Sequence, residues 1–182
     1  MDSMFIQSIL FVTSFYPSPD ISEITNQSLC KEDEQSWFEA SDRNSEMVVS
    51  LCGSESLTGD DAWLQFRKLE KPGGVRYAYP QTKYNSLSKF SYSRYTRPLE
   101  SFVEIKFTDD GSHYILTEEF FAAKKETPAG LTTLSVRPSD NTFSDKEVVF
   151  DLKTSSEPFT LMRLEDFLPN CSPLTGRCDL EF

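Results

Sequence analysis

The chain has 182 residues, a formal charge of −11, fifteen Phe and 13% aromatic residues. That charge argues against general nucleic-acid binding, where a strongly basic domain is the usual footprint. Ala and Leu are not dominant, which argues against a helical bundle, while abundant aromatics suit the half-buried pleated surface of strands.

The N-terminus opens with Phe5–Phe15 (FIQSILFVTSF), a mostly apolar run. It is too short for a membrane span, which needs about twenty apolar residues, so no integral span is expected. It has the length of a secretory h-region, so residues 1–19 read as a candidate signal segment ahead of a single domain, residues 20–182. Asp2 and the absence of an A-x-A site fit that reading poorly, and an N-terminal strand is the alternative.

Asp20–Ser36 is polar and acidic. Short apolar runs then follow at close spacing: Trp37-Phe38, Met47–Cys52, Ala62–Phe66 and Val75–Tyr79. Lys71-Pro72-Gly73-Gly74 is a turn signal, and Pro80 ends the fourth run. Phe90 and Tyr92 stand two apart, which puts both on one strand face. Val103, Ile105 and Phe107 alternate with Glu104 and Lys106. Asp109-Asp110-Gly111-Ser112 then predicts a type I′ hairpin, because Asp-Gly supplies the positive-φ residues. His113–Leu116, Phe120-Phe121, Leu131–Val136 and Val148–Leu152 give the remaining strands. Met162–Leu168 is a helical turn at most. The pattern predicts an all-β, antiparallel sandwich or barrel of about eight strands with a short C-terminal helical turn.

Charge is unevenly spread along this pattern. Gln65–Pro98 holds eight Lys or Arg and one acid, a formal +7, so the rest of the chain carries −18. The same stretch holds five of the seven tyrosines. Three readings compete. The basics balance acids of the same fold, with tyrosines inward. Or the band is a protein-binding face, since Tyr and Arg are enriched at interface hot spots. Or it binds single-stranded nucleic acid by stacking, which the acidic remainder disfavours. The candidate contact residues are Tyr92, Arg94, Tyr95 and Arg97, with Arg76 and Tyr79 as outer support.

Cys30, Cys52, Cys171 and Cys178 lie near the two ends. Of three possible pairings, 30–52 with 171–178 is the simplest, and an even count suits an oxidising compartment. Four reduced thiols are the alternative. Without C-x-x-C and with a single, distant His113, no zinc site is expected.

No catalytic motif stands out. Asp109, Asp110 and Ser112 share one tight turn with His113, the wrong arrangement for a base held by a separate orienting group. There is no G-x-S-x-G, no G-x-G-x-x-G and no P-loop. Acid pairs such as Asp60-Asp61 and Glu118-Glu119 sit in or beside loops. No catalytic residue, metal or cofactor is expected.

Cys30-Lys31-Glu32-Asp33-Glu34 through Phe38, Ser50-Leu51-Cys52-Gly53-Ser54, Leu64-Gln65-Phe66-Arg67 and Phe90–Tyr95 together resemble a group of bacterial exported proteins, mostly without assigned function. Those share a pattern like C-x-x-x-E-x-x-x-F, S-L-C-x-S, Y-L-Q-Y-R-F and an aromatic-basic strand, covering roughly residues 28–121 here. This chain departs at Ala40, where they tend to carry a second cysteine, so no pairing is carried over. It also has Trp63 and Phe66 at the tyrosine positions. The resemblance implies a small periplasmic or secreted all-β protein without catalytic residues. By analogy of class, the expectation is a non-enzymatic binder with a protein partner, such as an inhibitor or immunity protein occluding a secreted cell-wall hydrolase. A carboxylate-dependent carbohydrate- or lipid-processing enzyme and a structural envelope subunit are the alternatives.

Overall fold

The computed structural model describes residues 28–71, 74–121, 129–138, 147–154 and 160–171. Residues 1–19 and Cys178 lie outside them. The strands are β1 (Gln35–Asp42), β2 (Met47–Gly53), β3 (Leu64–Glu70), β4 (Val75–Tyr79), β5 (Ser91–Arg97), β6 (Glu100–Asp109), β7 (Ser112–Phe121), β8 (Ala129–Pro138) and β9 (Val148–Thr154). All nine join one antiparallel sheet that curls into a half-barrel, as the strand pattern predicts.

The order is β4-β3-β2-β1-β9-β8-β7-β6-β5. Successive strands pair throughout except at one place. β1 bonds to β9, so the first and last strands meet mid-sheet, and the two edges are the consecutive strands β4 and β5. The sheet therefore opens inside the basic-tyrosine band.

Alternation builds the core. Val103, Ile105 and Phe107 of β6 are buried on the concave face, together with Phe38, Val49, Leu51, Leu64, Phe66, Leu116 and Leu134. Asp110 and Gly111 both have positive φ (43° and 67°), so the β6–β7 turn has the predicted form. β2 is buried on both faces. The reason is the segment before β1, which lies on its convex side: the Leu29 amide donates to Ser50 Oγ at 3.2 Å, and Cys30 is disulfide-bonded to Cys52. Gly53 is demanded by close packing, because a Cβ there would sit 2.7 Å from the Trp63 carbonyl oxygen.

At the open seam, rings replace backbone hydrogen bonds. Tyr79 of β4 stacks on Phe107 of β6 with centroids 4.7 Å apart, and meets Phe90 edge-on at 5.9 Å. Tyr77 stacks on Tyr114 at 5.4 Å and donates its hydroxyl to Asp109 Oδ2 at 2.7 Å. Such ring pairs add about 0.5–1.5 kcal/mol each beyond their buried area.

The C-terminal segment fills the concave side. Thr160–Leu164 forms a 3₁₀ turn, in place of the predicted turn over 162–168, and packs on β1 and β6. Leu161, Leu164 and Leu168 are buried. Phe167 meets Trp37 edge-on at 6.0 Å. Pro169 and Cys171 then pair with the backbone of Tyr92, which covers part of the β5 edge. Cys171 is itself disulfide-bonded, and its partner lies outside the described residues.

Candidate functional site

The two-residue period of β5 divides the four candidate contact residues between two faces. Tyr92 lies opposite Ile105 and Arg94 opposite Val103, both on the concave side. Tyr95 lies opposite Phe102 and Arg97 opposite Glu100, on the convex side.

Tyr92 corrects the expectation of a contact role. Its side chain is fully buried, because it points into the core beneath the C-terminal segment. Burial, reinforced by the nearby charge of Glu165, pushes its phenol up to about 12. Its hydroxyl has no hydrogen-bond partner among the described residues. Arg94 is exposed and bonded to Glu165 at 3.0 Å, so it ties β5 to the C-terminal segment.

The convex pair forms a surface. Tyr95 stacks on Phe102 at 5.3 Å. The guanidinium of Arg97 lies over the Tyr95 ring at 4.7 Å, and its Nε donates to the Tyr95 hydroxyl. Glu100 stands 3.9 Å from Arg97. The hairpin tip carries Leu99, 59% exposed, and Phe121 at the end of β7 is also exposed. An ordered Arg–Tyr–Phe stack thus adjoins two exposed apolar side chains.

Arg76 is exposed on the convex face of β4, and Tyr79 is half-buried in the seam. These two do not join the Tyr95–Arg97 surface. Burial raises the Tyr79 phenol above its ordinary value, with the Asp109 charge adding to the effect.

Much of the basic band is neutralised inside the fold. Arg67 holds Glu34 in a two-pronged pair, with Nη2 to Oε1 at 2.9 Å. The Glu34 side chain is 1% exposed. Hydrogen bonding from Arg67 brings its carboxyl down to about 2, against the opposing effect of burial. Lys83 reaches the same carboxylate at 3.3 Å and lies 3.6 Å above the Trp63 ring. Lys68 pairs with Glu70 at 2.7 Å. Lys71, Arg76 and Lys89 make no ion pair among the described residues.

Glu118 and Glu119 do not assemble into a pair. Glu118 points into the core and accepts the amides of Leu161 and Thr160 at 2.8 and 3.3 Å. Desolvation raises its carboxyl above the ordinary value, with both hydrogen bonds opposing. Glu119 faces the other way, and is raised by burial and then by the charges of Glu100 and Glu104. Adjacent strand positions cannot turn both carboxylates into one cleft. His113 Nδ1 meets Thr108 Oγ1 at 2.9 Å, and Asp109 is engaged by Tyr77. No cluster of three His, Cys, Asp or Glu able to hold a metal occurs among the described residues. No helix among them is long and apolar enough to cross a membrane.

One feature escapes a linear reading. Near the β6–β7 turn the register lays Lys106 beside Ser91 and Ile115, and His113 beside Thr108 and Arg137. These residues and Lys89 lie around a depression of about 460 Å³, with alternation turning the Lys106, His113 and Arg137 side chains to the convex face and the Phe107 and Tyr114 rings to the core. Arg137 is 48 residues from Lys89, so only strand pairing brings them together. Comparison with known proteins finds no matching family model, no matching curated protein and no matching solved structure.

Proposed function

We propose that this chain is a non-enzymatic, exported binding protein that blocks a secreted hydrolase of the cell-wall type, as an inhibitor or immunity protein, by seating the β5–β6 hairpin face in the partner's cleft. The observation that carries this reading is the Arg97–Tyr95–Phe102 stack beside exposed Leu99. Arg and Tyr bury large areas at interfaces and keep polar tips satisfied, and a pre-stacked Arg loses less conformational freedom on binding. The Cys30–Cys52 disulfide supports an oxidising compartment, as does the bonded state of Cys171. The resemblance of residues 28–121 to exported bacterial proteins points the same way.

The test is a pull-down from periplasmic and culture-supernatant fractions, comparing wild type with Arg97→Glu/Leu99→Asp, followed by an activity assay on any hydrolase captured. The expected result is one hydrolase held and inhibited by wild type and lost by the variant. Equal recovery by both proteins would remove the hairpin as the interface. A captured hydrolase that stays fully active would remove occlusion as the mechanism.

A further inference from the structure

We propose that the free edge of β5 at Arg94–Thr96 docks an extended peptide segment of a partner protein, taken up through its main chain as an added strand. The site is the outer side of β5, not the tip of the β5–β6 hairpin. It therefore stands whether or not that tip meets a hydrolase.

β5 ends the sheet, so one side of its backbone has no ladder. The Tyr92 N–H donates to the Pro169 carbonyl at 2.8 Å, and the Tyr92 carbonyl accepts the Cys171 N–H at 2.6 Å. Even-numbered positions of β5 therefore face outward. The register with β6 is unbroken from Ser91 to Arg97, so Arg94 and Thr96 present their N–H and C=O groups on the same side as Tyr92. These four groups make no hydrogen bond among the described residues. Both residues are exposed. The edge has already taken one extended segment, since residues 169–171 run parallel to β5 and bridge it at Tyr92 and Asn170. The next donor that this register calls for is residue 173, a proline, which has no N–H.

Edge strands are commonly guarded by charged side chains. Here the two arginines are held elsewhere: Arg94 reaches Glu165 at 3.0 Å on the concave side, and Arg97 lies over the Tyr95 ring at 4.7 Å. Thr96 Oγ1 turns back to Ser101 Oγ of β6 at 3.4 Å. The other edge, β4, is less open, because its Ala78 carbonyl accepts Gln81 Nε2 at 2.7 Å and Pro80 follows the strand directly. N–H and C=O groups repeating along a strand edge are matched by another extended backbone. A second copy of this chain fits less well. Two β5 edges paired antiparallel over 94–96 would set the Arg94 side chains of both copies as near neighbours on one face, where like charges repel. The side chain that an incoming strand sets beside Tyr95 meets a ring, which favours an aromatic or β-branched residue there.

The experiment uses the full chain with its disulfides intact, titrated with the peptide acetyl-Lys-Thr-Val-Thr-Val-Thr-Glu-amide and followed by amide NMR. Saturable binding is expected, with the largest shifts at Arg94, Tyr95 and Thr96 and slowed hydrogen exchange of the Arg94 and Thr96 amides. A copy of the peptide N-methylated at every residue keeps the side chains and loses every main-chain donor. It should bind at least about tenfold more weakly. Thr96→Pro removes one outward N–H and leaves the β6 ladder alone, since proline is accepted on an edge with its nitrogen toward solvent. It should weaken the unmodified peptide about fivefold or more. If that variant does not fold, the methylated copy still decides. No saturable binding up to about 10 mM would overturn the site. Equal binding of the methylated copy would overturn main-chain recognition, and shifts confined to Arg76–Ala78 would overturn its placement on β5. Dimerisation of the free chain that protects the Arg94 and Thr96 amides would give the edge to a second copy and overturn the partner.

Discussion

The carboxylate of Glu118 accepts the backbone N–H of Leu161 at 2.8 Å, so a strand acid caps the turn that fills the barrel's concave side. The cap satisfies amides that a buried helical turn would leave without partners. It also buries a charge, and burial outweighs the hydrogen bonds in setting the carboxyl's affinity for protons. The folded state therefore holds this proton more tightly than the unfolded chain. Stability from this group is greatest at low pH and falls as pH rises from the ordinary carboxyl value through the raised one. Glu118→Gln should remove that slope. Urea melts at several pH values between 4 and 8 check it, expected to converge at the acid end and separate toward neutrality. A variant that tracks wild type across the whole range would show that Glu118 does not titrate differently on folding.

Glu34 works with the opposite sign. Its carboxyl is held down to about 2 by Arg67, so its contribution is present above the ordinary carboxyl value and lost as pH falls toward about 2. Glu34→Gln should cost about 2–3 kcal/mol at neutral pH, less than a fully buried orphan charge would, because Arg67 keeps 14% exposure. The same variant should lose less stability than wild type on acidification below pH 4. Denaturant midpoints at pH 7 and pH 3 decide it; a cost under about 0.5 kcal/mol at pH 7 would place this pair with ordinary surface bridges.

The fold class was legible because alternation and turn chemistry are local signals. Val103, Ile105 and Phe107 declare a face by themselves, and Asp110-Gly111 declares the hairpin. The placement of Tyr92 was legible only in part. Its spacing from Phe90 indicated an inward ring, but its neighbours Arg94 to Arg97 suggested a surface. What decided the matter was the segment around Pro169, which pairs with Tyr92 from 77 residues away. The gathering of Lys106, His113 and Arg137 on one face was invisible for the same reason: it exists only through the β6-β7-β8 register, which no local pattern encodes.

The Cys30–Cys52 bond closes a sequence separation of 22 residues and ties the leading segment to β2. Loop-closure entropy for a ring of this size is worth about 3 kcal/mol. Cys30→Ala is the better probe, since Cys52 is fully buried and its replacement would disturb packing as well. The variant should unfold at lower denaturant than wild type under oxidising conditions, and reductant should narrow the gap between them. If both proteins melt together without reductant, the bond contributes nothing to stability.

The seam between β4 and β5 has no ladder, so its closure rests on rings. Phe107 is the hub, touching Phe66, Tyr79, Phe90 and Tyr114. Phe107→Ala should cost about 3–5 kcal/mol, the usual range for removing a buried aromatic side chain. Phe107→Leu should recover part of that loss. Hydrogen exchange gives a sharper reading than the melt. In Phe107→Ala the amides of β4 should lose protection before those of β1 and β2, because β4 is an edge and loses the stacked Tyr79–Phe107 contact across the gap. Uniform loss of protection would mean that the seam opens only with the whole domain.

Tyr92 tests how the core tolerates a polar atom. The ring is fully buried and the hydroxyl has no partner among the described residues, while its own backbone is bonded on both sides to Pro169 and Cys171. Tyr92→Phe deletes the oxygen and keeps the ring. An unsatisfied buried hydroxyl costs about 1–3 kcal/mol, so the variant should be more stable by about 1 kcal/mol once the small gap left behind is counted. It should also leave recovery of the proposed partner unchanged, because the side chain does not reach the Arg97–Tyr95 surface. Equilibrium denaturation and the same pull-down measure both effects. A loss of stability of about 1 kcal/mol or more would show that the hydroxyl has a partner in solution. Lost capture with stability intact would return Tyr92 to the interface.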